Sequence, residues 1–217
     1  GLIYVNDNHV WLGPLNANYN QSQGDWMRTL LVNYGYETNL ILCPSAPNSV
    51  PPPASPVNPW GTASYAWWWN YDTSPPYYGS YAYNSWLEKE TNTPMQNMIN
   101  NPKDSYQTDA SVRWPAQTPM FCDGAWLNLD PMESDAPTKN FYNPYLTDAS
   151  QEGMARICVD RHGGLPPGSA PQHIVSAPLP GSIDMGFVDG HAQLVRIQDL
   201  WTYDWHLDWI ARAPPPP

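Results

Sequence analysis

Five side chains able to bind cations or move protons sit beside glycine turns in this sequence: Asp123, Asp160, His162, Asp189 and His191. Asp123 and Asp189 each precede a glycine, and Asp160 and His162 flank Arg161 in an Asp-Arg-His-Gly-Gly run. Carboxylates with backbone carbonyls form the donor set of Ca2+, and the same carboxylates with imidazole suit a transition metal. Either site requires these strand ends to converge in an antiparallel sheet. The competing role is local, with each Asp-Gly making a turn and Arg161 pairing with a carboxylate. A second acidic group, Asp130, Glu133 and Asp135, lies in a proline-bearing loop. It could chelate Ca2+, but it lacks the Asp-x-Asp-x-Asp-Gly order of a dedicated calcium loop, so a solvated loop competes.

Aromatic residues make the third grouping. Trp67, Trp68 and Trp69 precede Tyr71, Tyr77 and Tyr78. On a strand, Trp67 and Trp69 face one way and Trp68 the other. One face goes to the core, and the other suits stacking on sugar rings or docking of a polyproline segment. The chain closes with Pro214, Pro215, Pro216 and Pro217. A preformed polyproline helix loses little entropy on docking, so this tail is a candidate contact to a neighbouring subunit.

The elements that must hold these residues follow from periodicity. In Ile183–Val188 the apolar residues Ile183, Met185 and Phe187 alternate, which predicts a half-buried strand. Asp189-Gly190 predicts a two-residue type I′ hairpin turn, and His191–Ile197 the returning strand. Trp201, Trp205 and Trp209 recur every four residues, which predicts a closing helix with an aromatic stripe, capped by Asp199. Further strands are predicted over Tyr65–Tyr71, Tyr77–Trp86, Ala116–Asp123 and Met154–His162, and a short amphipathic helix over Trp26–Tyr34. Pro-rich stretches at 44–59 and 165–181 read as loops. The order predicts one domain over 1–217, an α+β fold with an antiparallel sheet, a short N-terminal helix and a Trp-rich C-terminal helix packed on it.

Several spaced landmarks carry a family resemblance. Arg-His-Gly-Gly at Arg161–Gly164, Phe-Val-Asp-Gly-His at Phe187–His191 and the Leu-Trp…Trp-His run of Leu200–His206 resemble the C-terminal half of the prepilin-type His-x9-Asp-Gly family, bacterial proteins related to type II secretion pseudopilins. Leu42–Ala46, Gly79–Leu87, Pro119–Trp126 and the opening Gly1–Gly13 are similar to its upstream landmarks. The family-motif positions are His162, Asp189, Gly190, His191, Trp201, Trp205 and His206. The resemblance implies a pilin-like head, which in that family follows an apolar N-terminal helix that is absent here or reduced to a stub. One departure is clear: 26 residues separate His162 from Asp189 where the family has nine. If the histidine and the Asp-Gly act as a unit, the insert loops out between paired strands. By analogy with pseudopilins, Ca2+ is the implied ion.

Composition limits the remaining functions. The 217 residues carry a formal net charge of −11, which argues against nucleic acid as a partner. Charged residues make up only 13% of the chain, and twelve Trp, fourteen Tyr and 26 Pro take their place. Such a surface is adhesive and suits an extracellular or cell-surface protein. No apolar run reaches the length of a membrane span. The three cysteines match no zinc or redox spacing; they read as buried thiols, and Cys122 with Cys158 is the candidate disulfide in an oxidising compartment. No nucleophile, phosphate-loop or metalloprotease motif is present, so catalysis is not expected. The expectation is a structural subunit that assembles with itself into a filament, tube or layer, with Ca2+ offsetting its charge. The alternatives are a carbohydrate-binding surface module and a minor pseudopilin.

Overall fold

The alternating stretches form a five-stranded sheet. The computed structural model describes residues 25–35, 37–47, 59–69, 76–87, 104–146, 153–172, 178–213 and 215. Among these lie one α-helix, α1 (Asp25–Asn33), and strands β1 (Trp67–Trp69), β2 (Tyr77–Gly79), β3 (Tyr81–Asn84), β4 (Pro119–Asp123), β5 (Asn128–Leu129), β6 (Ser182–Phe187) and β7 (Ala192–Arg196). The larger sheet has the order β5-β3-β4-β6-β7, and β1 and β2 form a separate hairpin. The class is therefore mixed α and β with few helices. The sheet is not wholly antiparallel, because β5 runs parallel to β3.

The β6–β7 hairpin follows its sequence pattern. Ile183, Met185 and Phe187 are buried, and the residues between them are not. The turn differs from the two-residue form. Gly190 N–H donates to Phe187 O at 3.0 Å and Phe187 N–H to His191 O at 2.9 Å. This makes a three-residue loop, with Gly190 at φ 95° supplying the left-handed position.

The expected strand over Tyr77–Trp86 breaks at Ser80. Its N–H donates to Ile41 O at 2.8 Å, its hydroxyl to Ala46 O at 2.6 Å, and its carbonyl accepts Gly124 N–H at 2.9 Å. With those groups committed sideways, β2 pairs with β1 and β3 pairs with β4. In β1, Trp67 and Trp69 are buried and Trp68 is half-buried, as alternation predicts.

Two expected elements are replaced by 3-10 turns. Met154–His162 is not a strand: Met154–Ile157 is a 3-10 helix, and Val159 and Arg161 donate locally to Ile157 O and Val159 O. The Trp-rich α-helix is absent as well. Ile197–Thr202 is a 3-10 helix and the chain after it is irregular. The reason lies in who takes the carbonyls. Asp204 N–H donates to Gln117 O and Leu207 N–H to Asp104 O, while the Trp205 and Trp209 indoles donate to Leu200 O and Trp201 O. Asp199 pairs with Arg196 instead of capping. Trp201, Trp205 and Trp209 are nonetheless all buried, so the stripe marks core without marking a helix.

Helix α1 buries Trp26, Met27 and Leu31, whereas the face expected from spacing, Trp26, Leu30 and Tyr34, leaves Leu30 half-buried and Tyr34 exposed. Trp26 packs on Phe121 and Tyr83 and donates its indole N–H to Leu127 O at 2.7 Å. Cys43, Cys122 and Cys158 are buried free thiols, and the candidate Cys122–Cys158 disulfide is not formed.

Candidate functional site

The centre of the site is a buried guanidinium. Arg161 is 1% exposed and follows the 3-10 turn after β5. It donates to Asp123 Oδ1 at 3.0 Å, Thr62 O at 3.0 Å and Gly124 O at 2.9 Å, and also to Ser80 O. A buried charge persists only with such partners. Asp123, at the end of β4, is fully buried opposite it. Its other oxygen, Oδ2, accepts the Asp184 N–H at 2.8 Å and lies 3.1 Å from His162 Nε2.

Three side-chain atoms converge on that one imidazole nitrogen. His162 Nε2 lies 3.3 Å from Cys43 Sγ and 3.3 Å from Asp184 Oδ2, besides its contact with Asp123. Cys43 comes from the segment after α1, Asp184 from β6, and His162 from the loop after Arg161. His162 is held in place by its own N–H, which donates to Ser182 O at 3.0 Å. Burial alone pushes the Asp123 carboxyl up, but the His162 contact, the Arg161 charge and the Asp184 N–H together bring it below its usual range. The contact with Asp123 raises His162 against the effect of burial. Burial raises the Cys43 thiol, and the Asp123 charge adds to it.

The other expected ligands lie elsewhere. β4 and β6 are antiparallel, with Cys122 opposite Met185 and Pro119 opposite Phe187. Asp123 therefore lies beside the start of β6, and Asp189 follows its far end. There Asp189 Oδ1 meets His191 Nδ1 at 2.6 Å, both half-exposed, and the His191 ring stacks on Phe187. His162 and Asp189-Gly190 thus do not act as a unit. Asp160 is buried outside the cluster. A Cβ on Gly163 or Gly181 would come within 2.4 Å of its Oδ1, and burial pushes its carboxyl up despite the Gly163 and Ser182 N–H groups.

The acidic loop does not converge either. Asp130 pairs with Arg156 at 3.1 Å. Glu133 meets His206 Nε2 at 3.2 Å and accepts the Ile210 N–H. Asp135 Oδ2 accepts the Met132 and Met154 N–H groups at 3.0 Å. Each carboxylate ties one loop to another. Trp68, Tyr77 and Tyr78 are half-buried. Trp201, Trp205 and His206 are core, with His206 against Trp86 and Trp209. Tyr71, Pro214, Pro216 and Pro217 lie outside the described residues, and Pro215 is half-buried.

Sequence reasoning missed Cys43 and Asp184 as members of the cluster. Asp184 carried a signal, as the polar position between Ile183 and Met185, but its meaning depends on the β4–β6 register. The pairing of Arg161 with a carboxylate, expected from the sequence as the competing role, is present with Asp123 as the partner.

Beside this cluster, helix α1 packs Trp26 on β3 and β4, and among the described residues none covers the β6–β7 half of the same face. The result is a groove of about 590 Å³ lined by Trp26, Leu30, Tyr81, Phe121, Gly186 and Leu194, with Asp184 on its wall. Leu40 and Leu194 are 51% and 59% exposed. Among the described residues no strand pairs with the outer edge of β7.

Comparison with protein-family models, curated proteins and solved structures found no match. No helix among the described residues is long and apolar enough to cross a membrane.

Proposed function

We propose that the chain is a pilin-like structural subunit, outside the cell or on its surface, that assembles with further copies of itself into a filament, tube or layer. The observation that carries this reading is the β6–β7 face, an apolar groove that no described residue covers, ending at a strand edge that no described strand pairs with. An exposed edge strand is a template for another chain, and an apolar groove beside it is seldom left unused. The occupant is the neighbouring copy, whose proline tail suits the Trp26, Tyr81 and Phe121 side of the groove. A charge of −11 per chain opposes close arrays, and Ca2+ between copies offsets it.

Negative-stain electron microscopy of the purified chain tests the proposal. Ordered polymers are expected for the wild type, weakened by chelator and lost in Leu194→Lys or on deletion of Pro214–Pro217. Monodisperse particles for the wild type under all conditions would overturn it.

One observation favours a second reading, a carbohydrate-binding module. Trp114 is 65% exposed on a polar pocket of about 250 Å³ whose lining includes Arg113, Asp204 and Asp208. An aromatic ring beside such polar groups suits a sugar. Quenching of tryptophan fluorescence by glycans, lost in Trp114→Ala, would support it; no response would remove it.

A further inference from the structure

We infer that Cys43, Asp123, His162 and Asp184 form a four-coordinate site for a zinc-class divalent ion, which clamps the segment after α1 to the sheet. The geometry is the first ground. Zinc-class ions bind sulfur, imidazole nitrogen and carboxylate oxygen at bond lengths that place tetrahedral donors about 3.3–3.6 Å apart. Cys43 Sγ, Asp123 Oδ2 and Asp184 Oδ2 lie 3.3, 3.1 and 3.3 Å from His162 Nε2. Two carboxylate oxygens and a thiol crowd one ring nitrogen, more than its single N–H or lone pair can serve, whereas four ligands around one ion each keep a bond. Among the described residues, Cys43, Asp123 and His162 are the one grouping whose ligand atoms all lie within 4.8 Å of each other, and Asp184, outside that grouping but 3.3 Å from His162, completes the fourth position by rotation of its exposed side chain.

Donor chemistry selects the ion. Ca2+ and Mg2+ take oxygen ligands, while a thiolate with an imidazole and carboxylates suits zinc-class metals. Charge supports the assignment. Three anionic donors against a divalent ion and the permanent charge of Arg161 leave the buried cluster neutral. The surrounding bonds are in place as well: Arg161 fixes Asp123 through Oδ1, and the Asp184 N–H fixes Oδ2. Entry is open, since the Asp184 side chain is 51% exposed and the His162 side chain 21%. On binding, the Cys43 S–H bond breaks, the metal–sulfur bond forms, and the proton leaves to solvent.

The consequence is mechanical. The four ligands come from four separate chain segments, and no disulfide joins Cys43, Cys122 or Cys158. A metal bond between them closes loops much as a disulfide would. It also holds one wall of the groove, through Asp184.

Co2+ titration of the full, reduced, metal-stripped chain tests the inference. Expected are one ion per chain, visible ligand-field bands of tetrahedral intensity and a near-ultraviolet thiolate-to-cobalt band, with Zn2+ displacing Co2+ and raising the melting temperature. Cys43→Ser should remove the charge-transfer band, and Asp184→Asn, at an exposed position that leaves the fold intact, should weaken binding by more than about tenfold. Absence of Co2+ binding, or binding with no thiolate band and no response to Asp184→Asn, would overturn the inference. The readouts are spectroscopic and thermal, so they stand apart from whether the chain polymerises.

Discussion

Replacing Arg161 with Met removes a buried cation and leaves its surroundings intact, which makes it the sharpest test of what holds the sheet to its loops. Arg161 makes one ion pair and three bonds to carbonyls, those of Thr62, Ser80 and Gly124. Those carbonyls belong to the loop before β1, the β2–β3 break and the end of β4. Met fills much of the volume but donates nothing. Asp123 then keeps a buried charge with His162 and the Asp184 N–H alone. Breaking a buried pair by removing one partner costs about 3–5 kcal/mol. The orphaned carbonyls each add about 1 kcal/mol or more unless water reaches them. Ser80 O keeps the Gly124 N–H, so two carbonyls are orphaned and a loss of about 5–7 kcal/mol is expected, which is most of the stability of a typical domain.

The assay is urea unfolding of the metal-free chain, followed by tryptophan fluorescence, for the wild type, Arg161→Met, Asp123→Leu and the double variant. Each single change should be severe. The double variant should lose less than their sum by about 2 kcal/mol or more, because it no longer buries an uncompensated charge. A loss under about 1 kcal/mol in Arg161→Met, or strict additivity in the cycle, would refute the view that this pair organises the fold.

Two further outcomes follow from local geometry. Gly181 and Gly164 have φ of 83° and 84°, but a Cβ meets Asp160 within 2.3 Å at Gly181 and nothing within 4 Å at Gly164. Gly164→Ala should cost about 1 kcal/mol, the backbone term alone, and Gly181→Ala about 2–4 kcal/mol in the same denaturation assay; equal losses would show that Asp160 yields freely. Burial raises the Tyr106 hydroxyl to about 12 from its usual 10, with a hydrogen bond from Thr118 opposing. Because the folded value lies above the unfolded one, the unfolded chain ionises first. The stabilisation is full below pH ~10 and falls by about 1.4 kcal/mol per pH unit up to ~12. Tyr106→Phe should flatten that part of the stability–pH curve, and an unchanged slope would place the phenol in contact with solvent.

Local signals were legible where the backbone bonds to its sequence neighbours. The β6–β7 hairpin and α1 emerge from alternation, amphipathic spacing and turn residues within one stretch, whereas β4 emerges from its apolar run although its ladder partners β3 and β6 are distant in sequence. The cluster was legible only in part. Asp123 and His162 stood out by type and by their glycine neighbours, but Asp184 joins them through strand register. Cys43 joins from the other side of α1, 119 residues away from His162. The insert after His162 could be placed outside the sheet, yet the separation of His162 from Asp189 depended on the antiparallel β4–β6 pairing.

The failed helix has a physical cause that bears on the unusual composition. Each of the 26 prolines removes a backbone donor and keeps its carbonyl, so the loops hold surplus acceptors. Each of the twelve tryptophans adds a side-chain donor along with a large apolar ring. The indoles of Trp26, Trp67, Trp86 and Trp201 donate to Leu127 O, Tyr81 O, Pro131 O and Asp135 O, all on other segments. Trp205 and Trp209 do the same within the C-terminal run, taking the carbonyls of Leu200 and Trp201. Tryptophan thus does here what helix and sheet ladders do elsewhere: it satisfies irregular backbone while burying area. A tryptophan every four residues then reports which residues are core. It does not report a helix, because the donors that would propagate one are committed to other chains of contact.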